Sequence, residues 1–455
     1  MKNGKRSSFS GKLGYVLAAA GASVGLGNIW RFPYLAAKYG GGIFLIIYIV
    51  LALTFGYTMI VAETAIGRMT RKSPVGAFKS FGKKKWLSFG GWINAVIPVL
   101  IVPYYSVIGG WVIKYLVEYF RGNAKLLAED GYFTDFISNG VSTELCFVAF
   151  CAFTLIIIFA GVQNGIERVS KIMMPILIVL SVIIAVYSVT RPGALEGVKY
   201  FLVPNVKNFS WMTVVSAMGQ MFYSLSIAMG ILITFGSYMK KDTAIEDSTR
   251  NVEVFDTGIA IMAGLMIIPA VFAFSGGDPD TLQAGPSLMF ITIPKVFQNM
   301  GFGTVIGIVF FLLVLFAAVT SSIALTESAV STFEDELGWG RKKATVLVGV
   351  IMLVLGSLSS LGYGPLAGIK IIGMQFLDLF DFLTNSVMMP IAALLTSLLV
   401  SRVVGIDKIE EEIIHGESAF RRKKVFVVMI KYLCPVFAII ILLSSVANAL
   451  GWIKM

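Results

Sequence analysis

The stretch GASVGLGNIWRFPY, Gly21 to Tyr34, places Gly21, Gly25 and Gly27 close together, followed by Asn28, Arg31 and Pro33, inside an apolar run that opens near Lys12. Glycine costs a helix interior about 1 kcal/mol relative to Ala, and proline has no backbone donor, so an unbroken helix is not expected here. In hydrocarbon, freed carbonyls persist only where protein buries them or where they line a cavity. The break therefore reads as a site for an ion or a small polar solute; for the glycines alone, a close helix crossing is the alternative. A second polar interruption, GQMFYSLSIAMG, runs from Gly219 to Gly230. The adjacent hydroxyls of Thr320, Ser321 and Ser322 suit a hard cation, although hydroxyls in membrane helices also bond back to the carbonyl one turn earlier. Asp256 is a carboxylate within an apolar run, which marks a functional position unless it lies at the membrane edge with Glu253 and Arg250. His415 is the only histidine and no nucleophile–base arrangement is evident, so enzyme chemistry is not expected. Cys146, Cys151 and Cys434 lack metal-ligand spacing and read as free thiols.

The elements that must position these groups are membrane helices. Hydrophobic residues make up 57% of the 455 and charged residues 14%, and the mean hydropathy is +0.83; this is a polytopic membrane composition. Runs of spanning length fall near 12–37, 42–69, 88–120, 142–161, 166–190, 211–237, 253–275, 302–336, 341–361, 370–402 and 425–450, which makes about eleven helices and an all-α fold. The net charge of +11 comes from cations grouped in alternate loops: Arg68 to Lys85, Lys240–Lys241, Arg341 to Lys343 and Arg421 to Lys424. Topology explains this excess, and no nucleic-acid partner is expected. With Lys2, Lys5 and Arg6 also cytoplasmic, an odd span count places the C-terminus outside a plasma membrane. Between Asp278 and Gly301 a short apolar piece is expected to dip back as an external cap, and Asp407 to Lys424 to form a solvated cytoplasmic helix. Spans one and six, both broken, are five apart, the pointer to an inverted-repeat transporter with its site at the midplane. The expected organisation is one transmembrane domain over 1–455, with a first five-helix repeat at 12–190, a second at 211–402 and an additional helix at 425–450.

GLGNIWRFPY with GGG at Gly40 to Gly42, YY in span three, GQMFYSLS in span six, TSSIA in span eight and FEDE at its end together resemble the neurotransmitter:sodium symporter family, in its bacterial amino-acid transporter branch. The similarity covers almost the whole chain and implies a LeuT-like fold and sodium-coupled import of amino acids or related amines. It implies two sodium cages. One uses the Ser23 carbonyl, Asn28, Ser224 and Asp256; the other uses the carbonyls of Gly21, Val24 and Ala317 with Thr320 and Ser321. Animal members add chloride, bound partly by a Ser where this chain has Ala260, although Tyr48, Gln220 and Ser224 match. Asp256, often Asn in relatives, is expected to supply the negative charge that chloride supplies elsewhere, so no chloride requirement is expected.

The monoamine branch holds its amine with an Asp where this chain has Gly25, so the expected substrate carries its own carboxylate, held by the backbone at Leu26 and Gly27, by Tyr105 and by the first sodium. Its side chain would lie among Ala22, Ile101, Tyr105, Tyr223, Ser226, Met229, Ser321 and Leu325, beside Ser23 and Ser224. This lining implies a neutral, hydrophobic or aromatic amino acid. The resemblance makes Arg31 and Asp381 an external gate. It makes Arg6 and Asp335 an internal one, with Phe9, Ser237 and Tyr238 nearby; solvated loop charges are the alternative for Arg6 and Asp335. Gly165 and Pro175 in span five allow either local unwinding or a fixed kink. A proton-coupled transporter titrating Asp256 or Glu63, and a non-transporting amino-acid sensor, are the rival readings. Membrane lipid is the expected surround, and the oligomeric state is open.

Overall fold

The computed structural model describes residues 6–276 and 285–449. Lys2, Lys5, the start of the expected cap at 278–284 and residue 450 lie outside them. Among the described residues, nine helices are long and apolar enough to cross a membrane: span 2 (Gly42–Thr70), 3 (Lys85–Phe120), 4 (Gly140–Phe159), 5 (Val162–Val189), 7 (Ile245–Ser275), 8 (Gly303–Leu337), 9 (Arg341–Leu361), 10 (Phe376–Val404) and 11 (Lys423–Asn448). Span 1 is the pair Lys12–Ser23 and Gly27–Lys38, bent by 52°. Span 6 is also two helices, Trp211–Ser224 and Ile231–Tyr238, joined by a non-helical turn.

Both breaks follow from local chemistry. In span 1 the chain leaves the helix at Val24 with an extended ψ of 92° and re-enters as a π-helical turn, Gly27–Arg31. Pro33, which has no backbone donor, follows directly on that turn, where the helix passes from the π-helical Gly27–Arg31 into the α-helical Phe32–Lys38. In span 6 the turn holds Ser226 and Ala228 at φ of 53° and 59°, a region that L-residues with a Cβ enter at a cost of about 1 kcal/mol each. The Glu63 carboxylate accepts the Ala228 N–H at 2.8 Å, and the Ser226 hydroxyl donates to Ala22 O at 2.9 Å, so each break is tied to another span.

Span 2 runs against the second half of span 6 through a reciprocal glycine contact. A Cβ on Gly67 would stand 2.0 Å from the Ile233 carbonyl, and one on Gly236 2.4 Å from that of Thr64. The long spans 3 and 8 pack on each other and on spans 4, 9 and 1. The piece Leu288–Gln298 is buried, with Tyr115 donating to Phe290 O at 2.7 Å, as expected for a cap dipping into the protein. The connector after span 10 differs from the expectation. Only Ile406–Ile414 is helical, and it is not simply solvated: Glu412 is buried against Arg68 at 2.6 Å, while the Glu246 carboxylate accepts the backbone N–H groups of Arg421 and Arg422. The amphipathic IDKIEEEII pattern buries Ile409 and Ile413 and is clamped by these bonds.

Candidate functional site

The two breaks meet spans 3 and 8 around one small cavity. Ala22, Ser23, Leu26 and Gly27 form its span 1 wall, and Ile101 and Tyr105 come from span 3. Tyr223, Ser224, Ser226 and Met229 come from span 6, and Ser321 and Leu325 from span 8; Gly25 and Asn28 complete it. The expected lining residues are thus brought to one place, and no charged side chain is among them. Polar groups concentrate at one end. Leu26 N–H donates to the Tyr105 hydroxyl at 3.3 Å, and a Cβ at Gly25 would stand 2.6 Å from Ser321 Oγ and 3.1 Å from Tyr105 OH. A side chain at position 25 would therefore have to displace Ser321.

Asp256 lies in the protein core, not at the membrane edge. It is fully buried, with Asn28 Nδ2 at 2.8 Å, Ser224 Oγ at 2.8 Å and Tyr48 OH at 2.9 Å from its oxygens. Its neighbours at that edge are engaged elsewhere: Arg250 pairs with Asp247, and Glu253 with Arg422. The Asn28 Oδ1 atom turns back to Gly25 N–H at 3.2 Å. Gln220 donates to Gly27 O at 3.0 Å, and its buried Oε1 has no partner among the described residues.

The three hydroxyls of span 8 divide. Thr320 bonds back along its helix, to Phe316 O at 3.0 Å and Ala317 O at 3.2 Å. Ser322 instead meets Thr154 of span 4 at 3.2 Å. Ser321 reaches across to span 1, to the carbonyls of Gly21 at 3.2 Å, Ala22 at 3.2 Å and Val24 at 3.4 Å. Carbonyl and hydroxyl oxygens of both spans thus converge on one point with no formal charge. Among the described residues no group of three or more His, Cys, Asp or Glu is placed to hold a metal. These neutral oxygens, and the single carboxylate of Asp256 in the other cluster, fit a hard monovalent cation better than a transition metal.

The two ends of the cavity differ. On the Arg6 side, the Arg6 guanidinium reaches Asp335 at 2.5 Å, Ser331 at 2.9 Å and Ser237 at 2.9 Å, and stacks on Tyr238. Phe9 is 1% exposed and makes edge contacts with Tyr15, Phe235 and Tyr238, so the seam beside the guanidinium is filled. On the opposite side Arg31 lies over the Tyr223 ring, 5.3 Å from its centre, and no ion pair joins it to Asp381 among the described residues. Asp381 accepts from Tyr104 at 3.2 Å and Asn385 at 2.5 Å and lines, with Arg31 and Tyr223, a wider vestibule.

Several participants escape sequence reasoning: Tyr104 and Asn385 on Asp381, and Glu327, which takes Tyr238 at 2.7 Å and Arg341 at 2.6 Å; Glu63, read from the sequence only as a titratable group, is found holding the span 6 turn. The i,i+4 spacing of Asp381 and Asn385 is a usable signal, whereas the other partners are far apart in sequence. Gly161, with φ of 90°, lies in the connection between spans 4 and 5. Span 5 opens with a π-helical turn, Val162–Glu167, that contains Gly165, and it continues unbroken through Pro175, which sits within the α-helix beyond.

Residues 6–127 and 134–452 match the model of the sodium:neurotransmitter symporter family. The chain is 34% identical to YhdH of Bacillus subtilis, named an uncharacterized sodium-dependent transporter, over 98% of this chain and 99% of that protein. It is 26% identical to the human sodium- and chloride-dependent GABA transporter 2, over 90% of this chain and 75% of that one. The crystal structure of MhsT in complex with L-phenylalanine superposes with a TM-score of 0.86 and 35% identity, covering 97% of this chain and 100% of that one.

Proposed function

Because this chain belongs to the sodium:neurotransmitter symporter family, we propose that it imports a neutral, hydrophobic or aromatic amino acid with sodium and without chloride, by alternating access. The carrying observation is the cavity itself: backbone donors and the Tyr105 hydroxyl at one end, apolar side chains at the other, and no charged side chain to pair a substrate's own. The amide of Leu26, once turned from Tyr105, and the positive end of the helix half that follows favour a carboxylate. The filled space at Gly25 argues against a substrate that needs a carboxylate from span 1. MhsT, the structural relative, was crystallised with L-phenylalanine, which accords with this class.

Sodium would take one place between Asn28, Ser224, Asp256 and the Ser23 carbonyl, and another among Gly21, Val24, Ala317, Thr320 and Ser321. The bound ions supply positive charge beside the substrate carboxylate and energy from their gradient. Asp256 already places an anion on Tyr48 and Ser224, which supports chloride-independence. Lysine- and arginine-rich connections favour a cytoplasmic Arg6 side. Uptake of labelled amino acids into proteoliposomes tests the reading. Flux should need inward sodium, persist when gluconate replaces chloride, and fall when unlabelled phenylalanine or leucine competes. Uptake that follows a proton gradient in the absence of sodium overturns it.

A further inference from the structure

The outer surface of span 11 carries cations that the protein leaves unpaired. Only 33% of the most apolar window of Lys423–Asn448 is buried, the lowest share of the nine unbroken spans. The run Arg421 to Lys424 divides by direction. Arg422 reaches Glu253 at 3.3 Å and lies over the Tyr57 ring, and Lys423 reaches Glu410 at 2.5 Å. Lys424 is exposed and has no ion pair among the described residues, and the same holds for Lys431. Lys424 and Val428 are one α-helical turn apart, and Lys431 and Tyr432 follow on the π-helical turn Met429–Leu433; all four are exposed, Val428 50% and Tyr432 65%. A rise of 1.5 Å per residue puts Lys431 roughly 12 Å beyond the start of the span. Its Cα–Cβ bond leans toward the helix N-terminus, back toward Lys424 and the membrane surface. On span 10, the turn Leu399–Val404 packs against Met429–Leu433 and carries Arg402, also exposed and without an ion pair among the described residues.

We propose that Lys424 and Lys431, with Arg402 on the adjoining turn, hold the phosphate headgroup of an anionic phospholipid at the basic face of the membrane. An ammonium within a span is costly in hydrocarbon unless its stem carries it to the interface, where phosphate is the available partner. Tyr432 adds an aromatic ring of the kind that sits at headgroup level. Topological charge accounts for a basic loop; it does not account for two lysines exposed on the lipid-facing side of one span while their neighbours turn inward to carboxylates. The flanking Val425 and Val428, exposed beside the cations, fit acyl chains and so commit the site to a lipid and not to free phosphate.

Native mass spectrometry of the purified protein, in neutral detergent with equal phosphatidylglycerol and phosphatidylcholine of matched chains, tests this. Wild type should retain phosphatidylglycerol preferentially. Lys424→Gln and Lys431→Gln should each lower that preference about fivefold, and the double variant should abolish it. Lys424→Arg with Lys431→Arg should preserve it, which separates lost charge from lost folding. Lys342→Gln removes another exposed cation, at the basic end of span 9, and should change nothing. Equal retention of the two lipids by wild type overturns the proposal. So do an equal loss in Lys342→Gln and displacement of the lipid by millimolar inorganic phosphate.

Discussion

Two single positions carry most of the chemical choice. Gly25 faces Ser321 and Tyr105 so closely that even a methyl group would meet the Ser321 hydroxyl at 2.6 Å. Gly25→Ala should therefore leave the helices intact while displacing Ser321 from the Gly21 and Val24 carbonyls. In a thermal-shift titration we expect stabilisation by sodium and amino acid together to weaken by at least about tenfold in concentration, and an unchanged titration would mean that Ser321 contributes nothing to binding. Asp256 offers a sharper test because three donors, from Asn28, Ser224 and Tyr48, converge on its carboxylate. Asp256→Asn removes the charge and leaves one amide oxygen for three donors, so half-saturation by sodium should rise about tenfold or more. If the carboxylate takes the place of chloride, uptake by this variant should be stimulated by chloride. Equal uptake in chloride and gluconate by the variant would detach Asp256 from that role.

At the scale of elements, the breaks in spans 1 and 6 were legible because their causes are local: clustered glycines, Pro33 and polar residues inside apolar runs. The convergence of the expected lining residues followed once both breaks were placed, since the resemblance had fixed their order along the chain. The connector after span 10 was not legible, because its Glu412 acquires meaning from Arg68 and Lys241, 344 and 171 residues away in sequence. The π-helical turns escaped for a similar reason: each adds one residue to a turn, which long-range packing selects and local propensity does not signal. The reciprocal glycine crossing of span 2 and span 6 lies between these cases, since Gly67 and Gly236 are visible as glycines but not as partners. Gly236→Ala would drive a methyl group to 2.4 Å from the Thr64 carbonyl, a backbone atom that cannot rotate away. We expect a loss of about 2 kcal/mol or more, read as a melting temperature in detergent lowered by several degrees. Gly258→Ala, with open space around it, should melt as wild type does.

For the whole molecule, the two ends differ: the Arg6 side is closed by an ion pair and aromatic packing, while Arg31 and Asp381 line a vestibule with no ion pair between them among the described residues. Two sodium ions entering down about 100 mV and a tenfold gradient would supply roughly 7 kcal/mol, ample for concentrating a zwitterion, provided the two ends never open together. The seal on the Arg6 side rests on a small number of polar contacts: Arg6 with Asp335, Ser237 and Ser331, while Asp335 also accepts the Ser73 N–H at 2.6 Å. A pair that forms in one state only biases the equilibrium between states, whereas a solvated pair does not. Arg6→Ala removes these contacts from the sealed form and should therefore raise the population open on that side by about five- to tenfold. Thr234, fully buried between Ser328 and the span 6 turn, is a suitable reporter position. In a Thr234→Cys background with the native thiols removed, an impermeant maleimide applied from the Arg6 side should react about five- to tenfold faster when Arg6→Ala is added. Excess sodium and substrate should reduce that rate if they favour the sealed state. An unchanged rate would return Arg6 and Asp335 to the status of solvated loop charges and shift the seal to the aromatic packing of Phe9, Phe235 and Tyr238.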